Sequence, residues 1–361
     1  MKPLRVLQII SNLEKGSGVA QVVLNWHRNI DTTKVQFDYL ISQNSPNTLS
    51  NIVTNYGGNV YLLPNPKRNI FAFLFATFNF FRTHSYKIVH SHITQFNLFY
   101  FPLAKLFHVK HIILHSHSTT YSGSRIKSII NRLMLWPVRC LVSHRLAVSQ
   151  EAGEFLFKRK TFKVIPNGIS PSLYPSTLKE KEKSKRELKI ENYSAIGHVG
   201  RFSAEKNHTF LLEIFKEYKK IDPKAKLVLI GKGPLENNLK GKIHLNNLEN
   251  DVVLKSYATG KDLYSAMDIL VFPSLKEGFG LVPLEAIAAG IPVLVSSAIP
   301  TKIREIAKMP TLSLNEPAKT WAKYINNLLE NKNVLKNFPK EFDIATISNN
   351  ILSYYLNECA L

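Results

Sequence analysis

The chain is poor in cysteine, in long apolar runs and, over one long stretch, in acid. Cys140 and Cys359 are the only cysteines among 361 residues. Two thiols so far apart imply no disulfide framework and fit a reducing cytoplasm. The start, Met1-Lys2-Pro3-Leu4-Arg5, runs straight into a strand-like segment without a signal-peptide pattern. The most apolar run, residues 70–81, is far shorter than the roughly 20 residues of a spanning helix. It reads as a buried helix or as a face dipping into a membrane interface. There is no P-loop and no recognisable nucleic-acid module, so no nucleic-acid partner is expected despite a pI near 9.8.

The acid deficit is local. The formal net charge is +21, and residues 1–165 hold 20 Lys and Arg against 5 Asp and Glu. Between Asp38 and Glu151 there is no carboxylate. A lysine-rich composition alone would still scatter Asp and Glu. The asymmetry points instead to a surface that attracts polyanions or anionic lipid. Within it, Arg125, Lys127, Arg132, Arg139 and Arg145 interleave with Ile126, Ile129, Ile130, Leu133, Met134, Leu135 and Trp136. A basic helix with an apolar side suits an enzyme lying on a membrane, although a core helix with a wet back shares the pattern. Pro137 must interrupt or kink it.

What is present is strand–helix alternation, twice. Candidate strands are Arg5–Ile10, Gln36–Ile41, Asn59–Leu63, Lys87–Ser91, His111–Ser116 and Arg145–Ser149. The texture changes at Pro166-Asn167-Gly168, a turn signal followed by the charged stretch 179–189. Strands then resume at Ser194–Gly200, Lys226–Ile230, Val252–Leu254, Ile269–Phe272 and Pro292–Ser296. The reading is an α/β chain of two Rossmann-like domains, residues 1–165 and 193–341, facing each other across a cleft. A linker spans 166–192, and a helical tail, 342–361, packs back on the first domain.

The chemistry concentrates in the second half. The strand ending at Gly200 leads into Arg201-Phe202-Ser203-Ala204-Glu205-Lys206-Asn207. Arg201 and Lys206, held at a strand end, suit a diphosphate: Arg by its planar fork, Lys as a point charge. An ordinary exposed basic loop has the same composition. After strand 269–272 come Glu277-Gly278-Phe279-Gly280 and then Glu285. The glycines let backbone N–H groups approach a ligand, and a helix starting near Leu281 aims its positive end at a phosphate. Glu285, early on that helix, can accept two hydrogen bonds from ribose hydroxyls. Glu277 in the loop can hold sugar hydroxyls. Helix capping is the alternative role for either carboxylate.

Three segments together, Gly200-Arg201…Glu205-Lys206-Asn207, Gly231-Lys232-Gly233-Pro234 and Glu277-Gly278-Phe279-Gly280…Glu285-Ala286, resemble glycosyltransferase family 4, retaining enzymes of GT-B fold and of the bacterial exo- and capsular-polysaccharide type. The resemblance covers essentially the whole chain and is most specific in the second domain. It implies that Arg201 and Lys206 bind the donor diphosphate and Glu285 the ribose. Glu277, with the backbone of Phe279 and Gly280, would contact the transferred sugar and phosphate. In the first domain Gly16-Ser17-Gly18-Val19-Ala20 falls in the loop after the first strand. Ala20 stands where the family carries Glu, so only Gly18 is left to approach the diphosphate. Of the pairs His90-Ser91-His92 and His115-Ser116-His117, His117 best fits the family's histidine near the sugar, with His115 the fallback. Zinc on these pairs is disfavoured, because no cysteine or carboxylate lies near.

An Asp-x-Asp motif is absent, and two cations already serve the diphosphate, so no metal and no cofactor are expected. The expected function is metal-independent hexosyl transfer, with retention, from a nucleoside-diphosphate sugar to an acceptor hydroxyl. The basic first domain suggests a lipid-linked glycan acceptor in surface polysaccharide synthesis. It also suggests peripheral attachment to the anionic inner face of the cell membrane. Two rivals remain. A GT-B sugar-nucleotide epimerase would need acid–base carboxylates in a domain that has few, and a non-catalytic basic binding protein leaves the 277–285 spacing unexplained.

Overall fold

The computed structural model describes residues 2–15, 17–43, 48–94, 96–119, 125–174, 177–256, 264–331 and 338–359. The chain divides into two compact units, one of residues 1–168 and 344–361, the other of 169–343.

The first unit alternates β1 (Leu4–Ile9), α1 (Gly18–Asn29), β2 (Val35–Ile41), α2 (Ser50–Asn55), β3 (Val60–Leu62), α3 (Ile70–Thr83), β4 (Ile88–Ser91), α4 (Asn97–Leu106), β5 (His111–Ser116), α5 (Arg125–Leu135), β6 (His144–Ala147), α6 (Gln150–Phe157) and β7 (Lys163–Val164). The strands form one parallel sheet in the order β3-β2-β1-β4-β5-β6-β7. Covered on both faces, they read as near-continuous apolar runs, which is why β1, β2, β4 and β5 stand out in the sequence. Asp38 is the exception on β2. It is buried but satisfied by Arg5, at 2.5 and 2.7 Å, and by the Tyr86 hydroxyl at 2.8 Å.

The second unit holds α7 (Leu178–Glu187), β8 (Ala195–Val199), α8 (His208–Lys219), β9 (Lys226–Ile230), α9 (Glu236–Leu245), β10 (Val252–Lys255), β11 (Ile269–Phe272), α10 (Leu281–Ala288), β12 (Val293–Ser296), α11 (Thr301–Ile306), β13 (Thr311–Leu312) and α12 (Ala318–Asn331). Its sheet, also parallel, runs β10-β9-β8-β11-β12-β13. The last helix, α13 (Ile344–Glu358), belongs to the first unit and packs on α1. It buries Tyr355 completely.

Three segments differ from the sequence reading. Residues 169–192, read as linker plus an exposed helix, group with the second unit. There α7 starts with a capping box between Thr177 and Glu180. Lys181 and Lys185 then pin it to Asp268 at 2.5 and 2.7 Å. Pro175 and Ser176 lie outside the described residues. Gly18 is not in a loop but is the first residue of α1, with Ser17 at the N-cap. A side chain at Gly18 would meet nothing within 4 Å, and Ala20 is fully buried, so neither position shows a steric need tied to a ligand. Gly16 lies outside the described residues. The basic amphipathic segment ends at Leu135, and Pro137 starts a separate 3-10 turn over Trp136–Leu141. Pro fits there because a first-turn N–H has no helical partner to lose.

The layer of α3, α4 and α5 is apolar on both sides. Phe73, Phe80, Phe81, Tyr100 and Phe101 fill the core beneath it. On its outer side Phe71, Phe75, Leu106, Ile126, Ile129, Leu133 and Trp136 are exposed, Phe71 by 80% and Trp136 by 71%. Among the described residues no helix is long and apolar enough to cross a membrane.

Candidate active site

In doubly wound sheets, ligands collect at the carboxyl ends of strands where the order reverses. In the second unit that point lies between β8 and β11, neighbours in the sheet though far apart in sequence. The loop after β8 is anchored by buried Phe202, whose N–H donates to the Lys232 carbonyl at 3.0 Å. Gly231 permits this approach, because a Cβ there would lie 1.9 Å from the Gly200 carbonyl oxygen. The loop after β11 is tied to the first by the Leu275 N–H donating to the Glu205 carbonyl at 2.7 Å.

Across these loops Lys206 Nζ meets Glu277 Oε1 at 2.6 Å and sits 4.5 Å above the Phe272 ring. Both charged side chains are largely buried, at 18% and 13% exposure, so neither can lose its partner cheaply. Arg201 is exposed beside Glu205 and forms no salt bridge among the described residues. The pair holds the lysine in place, and the exposed arginine is left to engage an incoming anion.

Gly280 caps α10 with φ at +97°, a left-handed conformation that other residues adopt only under strain. Phe279 is buried against Phe342, with ring centroids 5.7 Å apart, so a ligand can reach its backbone but not its side chain. Half-buried Glu285 lies on the second turn of α10. Its Oε2 accepts from the Tyr264 hydroxyl at 2.5 Å. Burial raises the Glu285 pKa, while hydrogen bonds from Tyr264 and Tyr174 and the charge of Lys206 pull it back. The two tyrosine rings meet edge to face at 5.8 Å. Neither tyrosine was expected from the sequence, since both stand in segments without periodic pattern. His198 was missed too. Its Nδ1 donates to the Val271 carbonyl at 2.9 Å, and its buried Nε2 has no partner. A Cβ on Gly200 would lie 3.4 Å from that nitrogen, so it is buried beside the Arg201–Lys206 loop.

In the first unit the order reverses between β1 and β4, and there the two His-x-His pairs interlock. The i, i+2 spacing puts both members of each pair on one face of the sheet. His90, His92 and His115 are buried, and His117 is partly so. Burial, reinforced by neighbouring imidazoles, pushes the first three well below the ordinary histidine value. Burial alone lowers His117 to about 3. All four are therefore neutral, and each carries one ring proton.

That constraint orders the network. Gln8 Nε2 donates to the Tyr355 hydroxyl at 3.1 Å, and in this orientation Gln8 Oε1 accepts from His92 Nε2 at 2.8 Å. His92 Nδ1 must then accept from His117 Nε2, 2.8 Å away. His117, just past the carboxyl end of β5, keeps a bare Nδ1 as an acceptor. His90 joins Tyr355 at 2.6 Å and His115 at 3.2 Å, leaving His115 Nε2 buried without a partner. The structure thus brings Arg201, Lys206, Glu277, Glu285 and the Phe279–Gly280 backbone together in the second unit. His117 and Gly18 belong to the first.

Two family descriptions match consecutive stretches: "Glycosyltransferase Family 4" over residues 16–173 and "Glycosyl transferases group 1" over 179–342. EpsF of Bacillus subtilis (strain 168) is 32% identical over 338 residues, covering 89% of this chain and 86% of its own. The Escherichia coli enzyme named UDP-Gal:alpha-D-GlcNAc-diphosphoundecaprenol alpha-1,3-galactosyltransferase is 24% identical over 237 residues, 62% of this chain and 61% of its own. Among solved structures, Anabaena HepE in complex with UDP and glucose superposes with a TM-score of 0.82 at 17% identity, covering 98% of this chain and all of HepE. The chain belongs to the family 4 glycosyltransferases, enzymes of GT-B fold built from two Rossmann-like units.

Proposed function

We propose that this glycosyltransferase moves a hexose-type sugar from a nucleoside-diphosphate sugar to an acceptor hydroxyl, with retention and without a metal at the diphosphate. The observation that carries the reading is the Lys206–Glu277 pair bridging the loops of β8 and β11 beside Arg201. Lys206 and Arg201 take up the negative charge that grows on the departing diphosphate, the usual route to a large rate enhancement in such transfers. Glu285 holds the ribose hydroxyls, and the backbone of Phe279 and Gly280 leaves room at the phosphates. Glu277 orders the sugar hydroxyls as well as Lys206. Within the first unit, His117 Nδ1 is left to accept from a hydroxyl. HepE, solved with UDP and glucose, supports a donor of this class.

Residues 39–150, which include His117, contain no carboxylate to act as a nucleophile. The transfer therefore proceeds on one face of the sugar. The bond from C1 to the phosphate oxygen breaks, the acceptor oxygen bonds to C1, and the acceptor proton passes to the leaving phosphate. The acceptor is a lipid-linked glycan intermediate of surface polysaccharide synthesis. The Escherichia coli relative is named for a diphosphoundecaprenol acceptor. The exposed apolar residues of α3 and α5, beside exposed Arg132 and within a carboxylate-free stretch, suit an anionic membrane surface on the cytoplasmic side. The test is turnover of nucleotide sugars with a lipid-linked acceptor in chelator-treated buffer, with product anomers read by NMR. An inverted product, or activity that returns only with added Mg²⁺, would overturn the reading.

A further inference from the structure

A second group of metal-ligating side chains lies at the end of the first sheet away from His117. His111 and His144 are the first residues of β5 and β6, and the end of α13 carries Cys359 to them. His111 Nδ1 is 3.0 Å from His144 Nε2, and Cys359 Sγ is 3.8 Å from the same nitrogen. One ligand atom from each residue falls within 4.8 Å of the others. A tetrahedral zinc, with bonds of about 2.0–2.1 Å to nitrogen and about 2.3 Å to sulfur, sets its ligand atoms about 3.3–3.6 Å apart. The two separations from His144 Nε2, 3.0 and 3.8 Å, lie within a few tenths of an ångström of that spacing.

The surroundings fit the same chemistry. The other ring nitrogen of His144, Nδ1, pairs with the Tyr354 hydroxyl at 3.0 Å. When that nitrogen carries the ring proton, Nε2 keeps its lone pair toward His111 and Cys359, the usual arrangement for a metal-bound histidine. Glu358, next to the thiol in sequence, is salt-bridged to Lys163 at 2.5 Å, which helps fix the end of α13. His111 and His144 are only partly buried, so solvent can supply a fourth ligand. We propose that His111, His144 and Cys359 form a zinc site that fastens the end of α13 to the starts of β5 and β6.

Two imidazoles and a thiolate favour a borderline-soft cation over Mg²⁺ or Ca²⁺. Binding replaces the Sγ–H bond with an Sγ–Zn bond and releases the proton to solvent. Burial pushes the free thiol up to about 12, with Glu358 adding to the shift. The site takes no part in sugar transfer as proposed above and stands independently of it.

The other trio, His90, His92 and His115, also has converging ligand atoms but offers no thiol. It therefore serves as the control. The chelator-stripped full chain is titrated with Zn²⁺ against a chromophoric chelator and, separately, with Co²⁺. The proposal expects one equivalent bound and a thiolate-to-cobalt charge-transfer band. Cys359→Ser should remove the band and weaken Zn²⁺ at least tenfold, and Tyr354→Phe should weaken it about 10–100-fold. Cys140→Ser and His92→Gln should change neither. No binding by the wild type, an unchanged band in Cys359→Ser, or loss of binding in His92→Gln alone would each overturn it. If Cys359→Ser fails to fold, alkylation of the wild type decides. Zn²⁺ should slow modification of Cys359 at least tenfold while exposed Cys140 reacts as before, and equal rates would refute the site.

Discussion

The two units solve the same packing problem with different polar chemistry. Nine of the twelve histidines lie in residues 1–168 and 344–361, where only three salt bridges occur among the described residues. The second unit has nine such pairs, several of them partly buried around Asp251, Asp268 and Glu277. Its interior deals in full charges, fixed by partners and available to an anion. The first unit buries neutral imidazoles that hold one another by hydrogen bonds and carry no net charge. One arrangement suits stabilising a leaving diphosphate. The other suits orienting hydroxyl groups while keeping the surrounding surface basic.

The sharpest way to break this contrast is to remove charge from the second unit. Lys206→Ala should lower kcat by about 10²–10³, as loss of one preorganised donor does, and strand Glu277 without its nearest cation. Arg201→Ala should act similarly on turnover while leaving the melting temperature nearly unchanged, because the side chain is exposed. Steady-state kinetics with a nucleotide sugar checks both.

Acid should separate the units next. His27, His90, His92, His115 and His117 all have folded pKa values below the ordinary 6.5, two of them at about 4 and about 3. The unfolded chain takes up protons first as pH falls, so their contribution is intact above 6.5 and lost progressively below it. Each histidine costs up to about 1.4 kcal/mol per pH unit in that window. The second unit has two comparable groups, His198 and His208. Hydrogen exchange should therefore show β4 and β5 losing protection before β8 and β11 between pH 6.5 and 5. Simultaneous loss would remove the distinction.

How much of this was legible in the sequence follows from the same physics. Strands buried on both faces announce themselves as apolar runs, so His111–Ser116, Lys226–Ile230 and Ile269–Phe272 read at their true limits. β7 and β13 have two residues each and leave no pattern. The cations and carboxylates of the 200–207 and 277–285 segments stand out by spacing. Their pairing does not, because Lys206 and Glu277 lie 71 residues apart. The same holds for Gln8 with His92, 84 apart, and for His144 with Cys359, 215 apart. Long-range partners are set by topology, which a linear pattern records only indirectly. Gly18 was misplaced: Ser17, a residue type favoured at N-caps, stands at the N-cap, but its side chain makes no capping hydrogen bond there.

Smaller effects refine the picture. Tyr264→Phe removes a hydrogen bond to Glu285, whose pKa is already raised, and should raise it further. Donor KM should increase about tenfold with little change in kcat, in line with about 1.5 kcal/mol for a bond to a charged group. The acid limb of the donor-binding profile should move to higher pH. Leu133→Glu, on the exposed side of α5, should reduce sedimentation with anionic liposomes several-fold and spare turnover of a soluble acceptor. Equal failure of the wild type to bind neutral and anionic liposomes at low salt would remove the membrane surface from the account.

The most direct measurement is calorimetric titration of UDP, GDP and ADP into the metal-free protein, with Arg201→Ala alongside. The account predicts micromolar binding of one nucleotide without metal and its loss in the variant. No binding of any nucleotide, or undiminished binding to Arg201→Ala, would contradict the claim that the β8 loop holds the donor diphosphate.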